Sequence, residues 1–141
     1  MEVAVRRATR EDLERISSLL DQLGESVGDR ALAWEQLCGT ERYFAFVAEL
    51  GRSVVGFVDV LLFPDVLHGG NLGLVLNLVV DEKHRRKGIR KLLLRKAIET
   101  AKSRGAVELH VWTEEGNAAA RALYEKLGFE KRGLLYELEL A

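Results

Sequence analysis

A short run of cations and one glycine has the clearest chemical character in the sequence. Arg85-Arg86-Lys87-Gly88 follows the apolar stretch Leu78-Val79-Val80 and precedes a stretch with helical periodicity. One face of that helix would consist of Ile89, Leu93, Ala97 and Ala101. The first turn of a helix leaves backbone N–H groups without partners, and its dipoles add partial positive charge there. With the flanking cations and a glycine that permits close backbone approach, this pattern indicates a phosphate-binding site.

Length, charge and cysteine content narrow the class of protein. The 141 residues predict a single domain, 1–141, with a full core. With 21 basic and 22 acidic residues the net charge is −1, so neither nucleic acid nor a membrane is an expected partner. Cys38 is the only cysteine, and the sequence shows neither a signal-peptide core nor an apolar run of roughly 20 residues. We therefore expect a cytoplasmic protein without disulfides.

Apolar periodicity predicts an α/β protein with the order β-α-α-β-β-β-α-β-α-β-β. The predicted strands are 3–5, 43–50, 53–63, 72–80 and 107–112, followed by a terminal hairpin of 129–132 and 134–140. The segment 64–71 holds the only proline and two adjacent glycines, so it is predicted to be a loop. The fourth and fifth strands are predicted to be parallel, because a long helix connects them.

Four helices are predicted from capping signals and apolar spacing. The first follows a capping box, Thr9-Arg10-Glu11-Asp12, and ends at Gly24. The second is capped by Asp29 and ends near Gly39, whereas the third covers 88–103. The fourth begins at Asn117 and ends at Gly128. These helices would cover both faces of the sheet.

Two motifs resemble signatures of the GNAT superfamily of N-acetyltransferases. Arg85-Arg86-Lys87-Gly88-Ile89-Arg90 resembles the family's (Arg/Gln)-x-x-Gly-x-(Gly/Ala) motif, and the segment from Asn117 through Tyr124-Glu125-Lys126-Leu127-Gly128-Phe129 resembles its second signature. The resemblance covers essentially the whole chain. It implies a mixed, mostly antiparallel sheet of six to seven strands, splayed between strands four and five, with about four helices on both faces. It also implies acetyl-coenzyme A as co-substrate, no metal, and homodimerisation, which is common in the family.

The resemblance also implies a set of coenzyme-binding residues. The pyrophosphate would bind the backbone N–H groups of the loop and the helix start, whereas the pantetheine arm would pair with the fourth strand. The implied residues are Leu78, Val79, Val80, Arg85, Arg86, Lys87, Gly88, Ile89, Arg90, Lys91, Asn117, Arg121 and Tyr124. Arg90 departs from the family pattern, which has a small residue there. Its side chain either obstructs the pyrophosphate or turns away and adds a contact.

The family reaction is direct attack of an amine on the thioester, without an acyl-enzyme. Tyr124 matches the tyrosine that protonates the leaving sulfur, which a neutral phenol can do. The implied oxyanion donor is the backbone N–H of Val79 or Val80. Relatives often carry a glutamate just before this segment, where the sequence here has Asn77. Asn77 cannot accept a proton, so His110 on the fifth strand is the candidate base; a water relay or an amine that arrives neutral are the remaining alternatives.

The acceptor pocket is expected between the first two helices, their connection at 25–29 and the loop 64–71. Trp34, Asp65, His68 and Tyr136 are candidate contacts. The acceptor stays open among small amines, polyamines, aminoglycosides, peptide N-termini and lysine side chains. A catalytically silent acyl-coenzyme A-binding or sensing module of the same fold is the alternative function, favoured by Asn77 and Arg90. The histidines lack metal-ligand spacing, and no nucleotide P-loop motif occurs.

Overall fold

A five-stranded sheet is the framework of the protein. The computed structural model describes residues 2–140, which form two compact units, 2–110 and 111–140. The strands are β1 (Val3–Arg7), β2 (Tyr43–Leu50), β3 (Ser53–Asp65), β4 (Gly70–Val80) and β5 (Ala106–Val111). They lie side by side in sequence order, and each pair from β1 to β4 is antiparallel. Val107 packs at Gly70 and Leu109 packs at Gly73. Residue numbers therefore increase in the same direction along β4 and β5, as they do in a parallel pair.

Four α-helices are present, and their ends follow the capping residues. They are α1 (Leu13–Leu20), α2 (Arg30–Cys38), α3 (Ile89–Ser103) and α4 (Ala118–Lys126). Short 3-10 turns cover Arg10–Asp12 and Glu82–His84. The Thr9 N–H donates to Asp12 Oδ2 over 2.7 Å, which confirms the predicted capping box. No helix in residues 2–140 is long and apolar enough to cross a membrane.

The helices of the first unit cover opposite faces of the sheet. Ile16 and Leu19 of α1 and Trp34 of α2 share one core with Tyr43, Ala45 and Val47 of β2, and with Phe57 and Val79. The alternate β2 side chains, Phe44 and Phe46, point the other way and lie beneath Arg104 and the α3 residue Lys96. The buried face of α3 includes Ile89, Leu93, Ala97 and Ala101, as its periodicity predicts.

Two sequence-based predictions about strands are wrong. Residues 129–140 contain no strand, so the described sheet has five strands and not six to seven. Alternating apolar residues permit an extended chain, but they do not supply a partner strand. The predicted loop at 64–71 is also too long, because β3 and β4 pair out to Asp65 and Gly70. Proline removes one backbone donor without preventing an extended conformation, so Pro64 is accommodated near the end of β3.

The missing side chain of Gly56 allows α3 to lie close to β3. A Cβ atom at this position would be 2.8 Å from Leu93 Cδ1 and 3.3 Å from both Ile89 Cγ2 and the Val79 carbonyl oxygen. Leu93 and Ile89 are fully buried, so neither has free space to move into. The position of the α3 N-terminus therefore depends on a glycine in the adjacent strand.

Gly56→Val is expected to lower the free energy of unfolding by about 1–3 kcal/mol, because the added methyl groups overpack this contact. Urea denaturation would measure the loss. Gly28→Val is the matched control, since a Cβ at Gly28 meets no atom within 4 Å. Equal stability of the two variants would contradict the proposed tight contact.

Candidate active site

The loop between β4 and α3 combines left-handed backbone with positive charge. Arg86 has a φ of 67° and Gly88 a φ of 78°, and α3 begins directly after Gly88. No side chain caps the start of α3. Among residues 2–140, no acidic side chain pairs with any of the four cations around this start, which are Arg86, Lys87, Arg90 and Lys91. The loop therefore presents free helix N–H groups and uncompensated charge, which suit an anion.

Hydrogen bonds from neighbouring elements position the start of this loop. Asp81 Oδ1 accepts from the Lys83 N–H over 3.0 Å, and Asp81 Oδ2 pairs with Arg15 of α1 over 2.8 Å. The Lys83 N–H and then Arg15 hold the pKa of Asp81 below its usual value. Arg85 turns back and donates from Nε to the Val80 carbonyl over 3.3 Å. Arg85 thus acts on the loop backbone in this structure.

The two edges of β4 differ in the availability of backbone donors. The Asp81 N–H donates to the Val55 carbonyl over 2.8 Å, so it points toward β3. Alternate residues of a strand direct their N–H groups to the same side, which places the Val79 N–H toward β3 as well. The N–H groups of Val80 and Leu78 then point toward β5. Of the two predicted oxyanion donors, Val80 is therefore the one directed at the β5 side of β4.

A cavity of about 370 Å³ opens on the face of the sheet covered by α1 and α2. Its walls are mainly apolar, with a few polar groups at the sheet and near the entrance. The lining residues are Leu13, Ile16, Leu20, Leu23, Gly24, Glu25, Arg30, Ala33, Trp34, Leu37, Tyr43, Phe57, Asp59 and Asn77. This matches the predicted acceptor region in the first two helices and at Trp34. The segment 64–71 does not line the cavity, so Asp65 and His68 are not contacts there.

Asp59 is the buried carboxylate among the residues that line this cavity. Its side chain is only 3% exposed. Tyr43 donates its hydroxyl to Asp59 Oδ2 over 2.6 Å, and Asn77 donates from Nδ2 to Oδ1 over 3.2 Å. Asp59 pairs with Asn77 across the β3–β4 ladder, and the register shifts immediately afterwards, leaving Leu76 as the extra residue. The cavity thus contains a carboxylate on β3 where β4 has only an amide.

Burial dominates the protonation of this carboxylate. It raises the pKa of Asp59 to about 6, although the hydrogen bonds from Tyr43 and Asn77 act in the opposite direction. Burial and the nearby Asp59 also raise the pKa of Tyr43, so the Tyr43 hydroxyl stays a donor. Sequence reasoning missed Asp59. The signal was present, since Asp59 interrupts an apolar strand, where an acid requires a specific partner or a function.

His110, the alternative base, belongs to a polar cluster outside the cavity lining. Its Nε2 lies 2.9 Å from Glu108 Oε1, and the same oxygen lies 3.3 Å from His68 Nε2. His68 Nδ1 in turn contacts Asp65, whose hydrogen bond raises the pKa of His68. Both histidines contact the same oxygen of Glu108, and this local pairing explains where their side chains lie.

The remaining predicted residues lie on α4 in the second unit. Asn117 caps the helix, because its Oδ1 accepts from the Ala120 N–H over 3.1 Å. Arg121 donates to the Glu115 carbonyl over 2.9 Å, and the Tyr124 ring lies 5.8 Å from the Phe129 ring. The helix thus carries Asn117, Arg121 and Tyr124 in the predicted spacing. Tyr136 falls in residues 129–140, which form no strand.

Comparison with known proteins gives consistent matches. A model of the acetyltransferase (GNAT) family matches residues 4–129. Human N-acetyltransferase 8 is 36% identical over 88 residues, which are 62% of this chain and 39% of that protein. N-alpha-acetyltransferase 30 of Schizosaccharomyces pombe is 35% identical over 98 residues, 69% of this chain and 64% of that one. The chain thus spans about two fifths of the length of the N-acetyltransferase 8 relatives.

A solved structure shows the same fold at low sequence identity. The structure of AAC(6')-Iy in complex with the bisubstrate analogue CoA-S-monomethyl-acetylneamine superposes with a TM-score of 0.83. The match covers 99% of this chain and all of that one, with 22% identity. A sequence identity of 22% supports a shared fold and nothing beyond it.

Asp59→Asn is expected to change stability in a pH-dependent way. Because the folded state raises the pKa of Asp59 from 3.8 to about 6, its contribution to stability falls as pH rises between these values. The free energy of unfolding of the variant minus that of the wild-type protein should grow by about 3 kcal/mol over this interval and then stay constant. Urea denaturation from pH 3 to pH 7 measures this difference.

Asp81→Asn is the matched control with the opposite sign. The folded state lowers the pKa of Asp81, so its stabilisation is present above its ordinary pKa and is lost as pH falls. The Asp81→Asn variant should lose stability relative to wild type as pH rises. A pH-independent difference for Asp59→Asn would show that the folded protein does not perturb Asp59.

Proposed function

The chain belongs to the GNAT acetyltransferase family, and from this premise we propose that it transfers an acetyl group from acetyl-coenzyme A to a primary amine. The amine would attack the thioester directly in a ternary complex. Family membership supports acyl transfer to an amine, whereas the coenzyme and the acceptor are part of the proposal. Human N-acetyltransferase 8 and N-alpha-acetyltransferase 30 of Schizosaccharomyces pombe share 39% and 64% of their lengths with this chain.

The β4–α3 loop is the observation that carries the coenzyme proposal. A methyl group built on Gly88 would meet no atom within 4 Å, so the space above this backbone is open. The adjacent N–H groups of α3 and the cations at Arg86, Lys87 and Arg90 suit a pyrophosphate. Such a ligand would also offset the strain of the left-handed Arg86 backbone, which costs on the order of 1 kcal/mol in a non-glycine residue. AAC(6')-Iy, which shares the fold, holds a coenzyme A conjugate.

Two groups of the protein would perform the acyl transfer, the Val80 N–H and the Tyr124 hydroxyl. The pantetheine arm would run along the β5 side of β4, where the Leu78 and Val80 N–H groups point. The Val80 N–H would stabilise the oxyanion of the tetrahedral intermediate, because the Val79 N–H points toward β3. Tyr124 would protonate the departing thiolate, because a phenol is protonated at neutral pH. Asn117 and Arg121 remain proposed coenzyme contacts.

The second candidate is an acyl-coenzyme A-binding or sensing module without catalysis. Asn77 favours it, since an amide takes the place of the β4 carboxylate that relatives use. Both candidates require coenzyme binding, and only the enzyme releases free thiol in the presence of an amine. The test is to incubate the protein with acetyl-coenzyme A and a broad amine panel and to measure thiol, subtracting the single Cys38 thiol. Binding without thiol release favours the module, whereas no binding at millimolar acetyl-coenzyme A contradicts both candidates.

Gly88→Ala is expected to weaken acetyl-coenzyme A binding by about tenfold or more, because the methyl group enters the pyrophosphate space and disfavours the left-handed backbone. Calorimetric titration measures the dissociation constant. Gly105→Ala is the matched control, since Gly105 follows the other end of α3 with a φ of 79° and has equally open surroundings. Equal losses of affinity in the two variants would place the pyrophosphate elsewhere.

Tyr124→Phe is expected to lower kcat by about 10²-fold or more, with a much smaller change in the acetyl-coenzyme A dissociation constant. The hydroxyl would act on the leaving sulfur, whereas the ring alone keeps the contact with Phe129. Steady-state kinetics and calorimetry together separate the two effects. Parallel losses in turnover and affinity would indicate a packing role for Tyr124.

A further inference from the structure

Asp59 is a buried acid without a cationic partner. No cationic side chain in residues 2–140 pairs with it, and its two protein contacts, Tyr43 and Asn77, are neutral donors. Arg30 lines the same cavity but pairs with Asp21 over 2.7 Å and also donates to Ser17. A carboxylate that is ionised at neutral pH and buried without a counter-ion is costly for the folded protein. A cation delivered by a ligand would remove that cost.

The carboxylate lies beside the strand that would carry the thioester. Asp59 is opposite Asn77 in the β3–β4 ladder, and the bulge at Leu76 follows at once. Val80, the proposed oxyanion donor, is three residues further along β4, about 10 Å at the usual rise of a strand. Bulges often adjust the direction of side chains next to active sites. Asp59 thus lies within reach of a ligand that extends from the cavity toward Val80.

The other walls of the cavity indicate the chemical character of the rest of the ligand that carries the cation. Eight of the side chains that line the cavity are apolar. They come from α1, α2, β3 and the segment between the two helices, and they are Leu13, Ile16, Leu20, Leu23, Ala33, Trp34, Leu37 and Phe57. The Trp34 ring packs against Tyr43 and Phe57 with centroids 6.1 and 6.3 Å apart. Such a surface favours apolar groups and offers few partners for the hydroxyls of a sugar or for the further charges of a polyamine.

Building on the proposed acetyl transfer, we propose that Asp59 receives the amino group of the acceptor and takes its proton, and that the acceptor is a primary amine with an apolar substituent. The acceptor arrives as an ammonium group and gives one proton to an oxygen of Asp59. The neutral amine nitrogen then forms a bond to the thioester carbonyl carbon and loses its second proton, which restores the Tyr124 hydroxyl. The C–S bond breaks, and the sulfur takes one proton from Tyr124. The products are the N-acetyl amide and free coenzyme A, while Asp59 returns its proton to solvent and Tyr124 regains one.

The groups that face Asp59 leave it as the proton acceptor of the cavity. From β2, Tyr43 stays protonated because its pKa is raised, and from β4, Asn77 does not titrate. The cavity residues of α1 are apolar, whereas Arg30 of α2 is held by Asp21, and Cys38 at the end of α2 lies near Tyr43. Glu25 also lines the cavity but is exposed. Tyr43 and Asn77 each donate one side-chain hydrogen bond to a different oxygen of Asp59, and the backbone N–H groups of Asn77 and of Asp59 itself also act on the carboxylate. All of these donors are neutral, so none supplies the positive charge that an ammonium group would bring.

The test is the pH profile of kcat/KM for Asp59→Asn against wild type, with an amine from the panel that the wild-type protein acetylates. Wild type should show an acid limb near pH 6, the pKa of Asp59 in the free protein. Above pH 7, kcat/KM of the variant should be about 10²–10⁴-fold lower than that of wild type. Below pH 6, the slope of log kcat/KM against pH should be smaller in the variant than in wild type by about one. Acetyl-coenzyme A affinity close to wild type shows that the variant is folded.

Two further variants separate a base from a structural acid. Tyr43→Phe removes the hydrogen bond that lowers the pKa of Asp59, so the acid limb should move to higher pH. Glu25→Gln neutralises the other carboxylate of the cavity and should keep the limb in place. If Asp59→Asn is active and keeps the acid limb, the assignment of Asp59 is overturned while acetyl transfer stands.

The amine panel tests the class of acceptor. Phenethylamine and leucine amide should exceed ethanolamine and spermidine in kcat/KM by about tenfold or more. A preference for spermidine or for an aminoglycoside would overturn the apolar acceptor. If wild type releases no thiol with any amine, the proposed acetyl transfer fails, and the role of Asp59 fails with it.

Discussion

The close packing of α3 on the sheet is the contact on which the β4–α3 loop depends. Gly56 leaves no side chain between β3 and the buried residues Ile89 and Leu93, so the first turn of α3 is held directly against the strand. Because the helix start is held in place, the left-handed residues Arg86 and Gly88 turn the chain back within a short loop. The free N–H groups of that turn are then presented at the end of β4.

The strand β4 borders both proposed binding regions of the first unit, the β5 side of the strand and the cavity under α1 and α2. Its backbone pairs with β3 along one edge, which directs the N–H groups of Leu78 and Val80 toward the other. Its Asn77 side chain contacts Asp59 on the face covered by α1 and α2. An extended ligand on the β5 side of β4 and an amine in the cavity would meet near this part of the strand, which is the arrangement that direct transfer requires.

Much of this organisation was predictable from local patterns. The capping residues Thr9, Asp29 and Asn117 mark helix starts because each satisfies N–H groups close by in the chain. The apolar spacing of α3 predicts its buried face, and the basic loop with Gly88 predicts the turn before it. The predictions failed where a partner distant in sequence decides the outcome. The alternation in 129–140 did not produce a hairpin, and Pro64 did not end β3.

The sequence by itself determined the family, the helix capping and the turn before α3, because each depends on residues that are neighbours in the chain. Only the tertiary structure identified Asp59 as the acid of the cavity. Its pKa is raised by burial under α1 and α2, which outweighs the hydrogen bonds from Tyr43 and Asn77, residues that lie 16 and 18 positions away in the chain. The direction of the Val80 N–H likewise depends on the register of β4 with β3. Burial and register are properties of assembled strands and helices, and no local spacing in the chain encodes them.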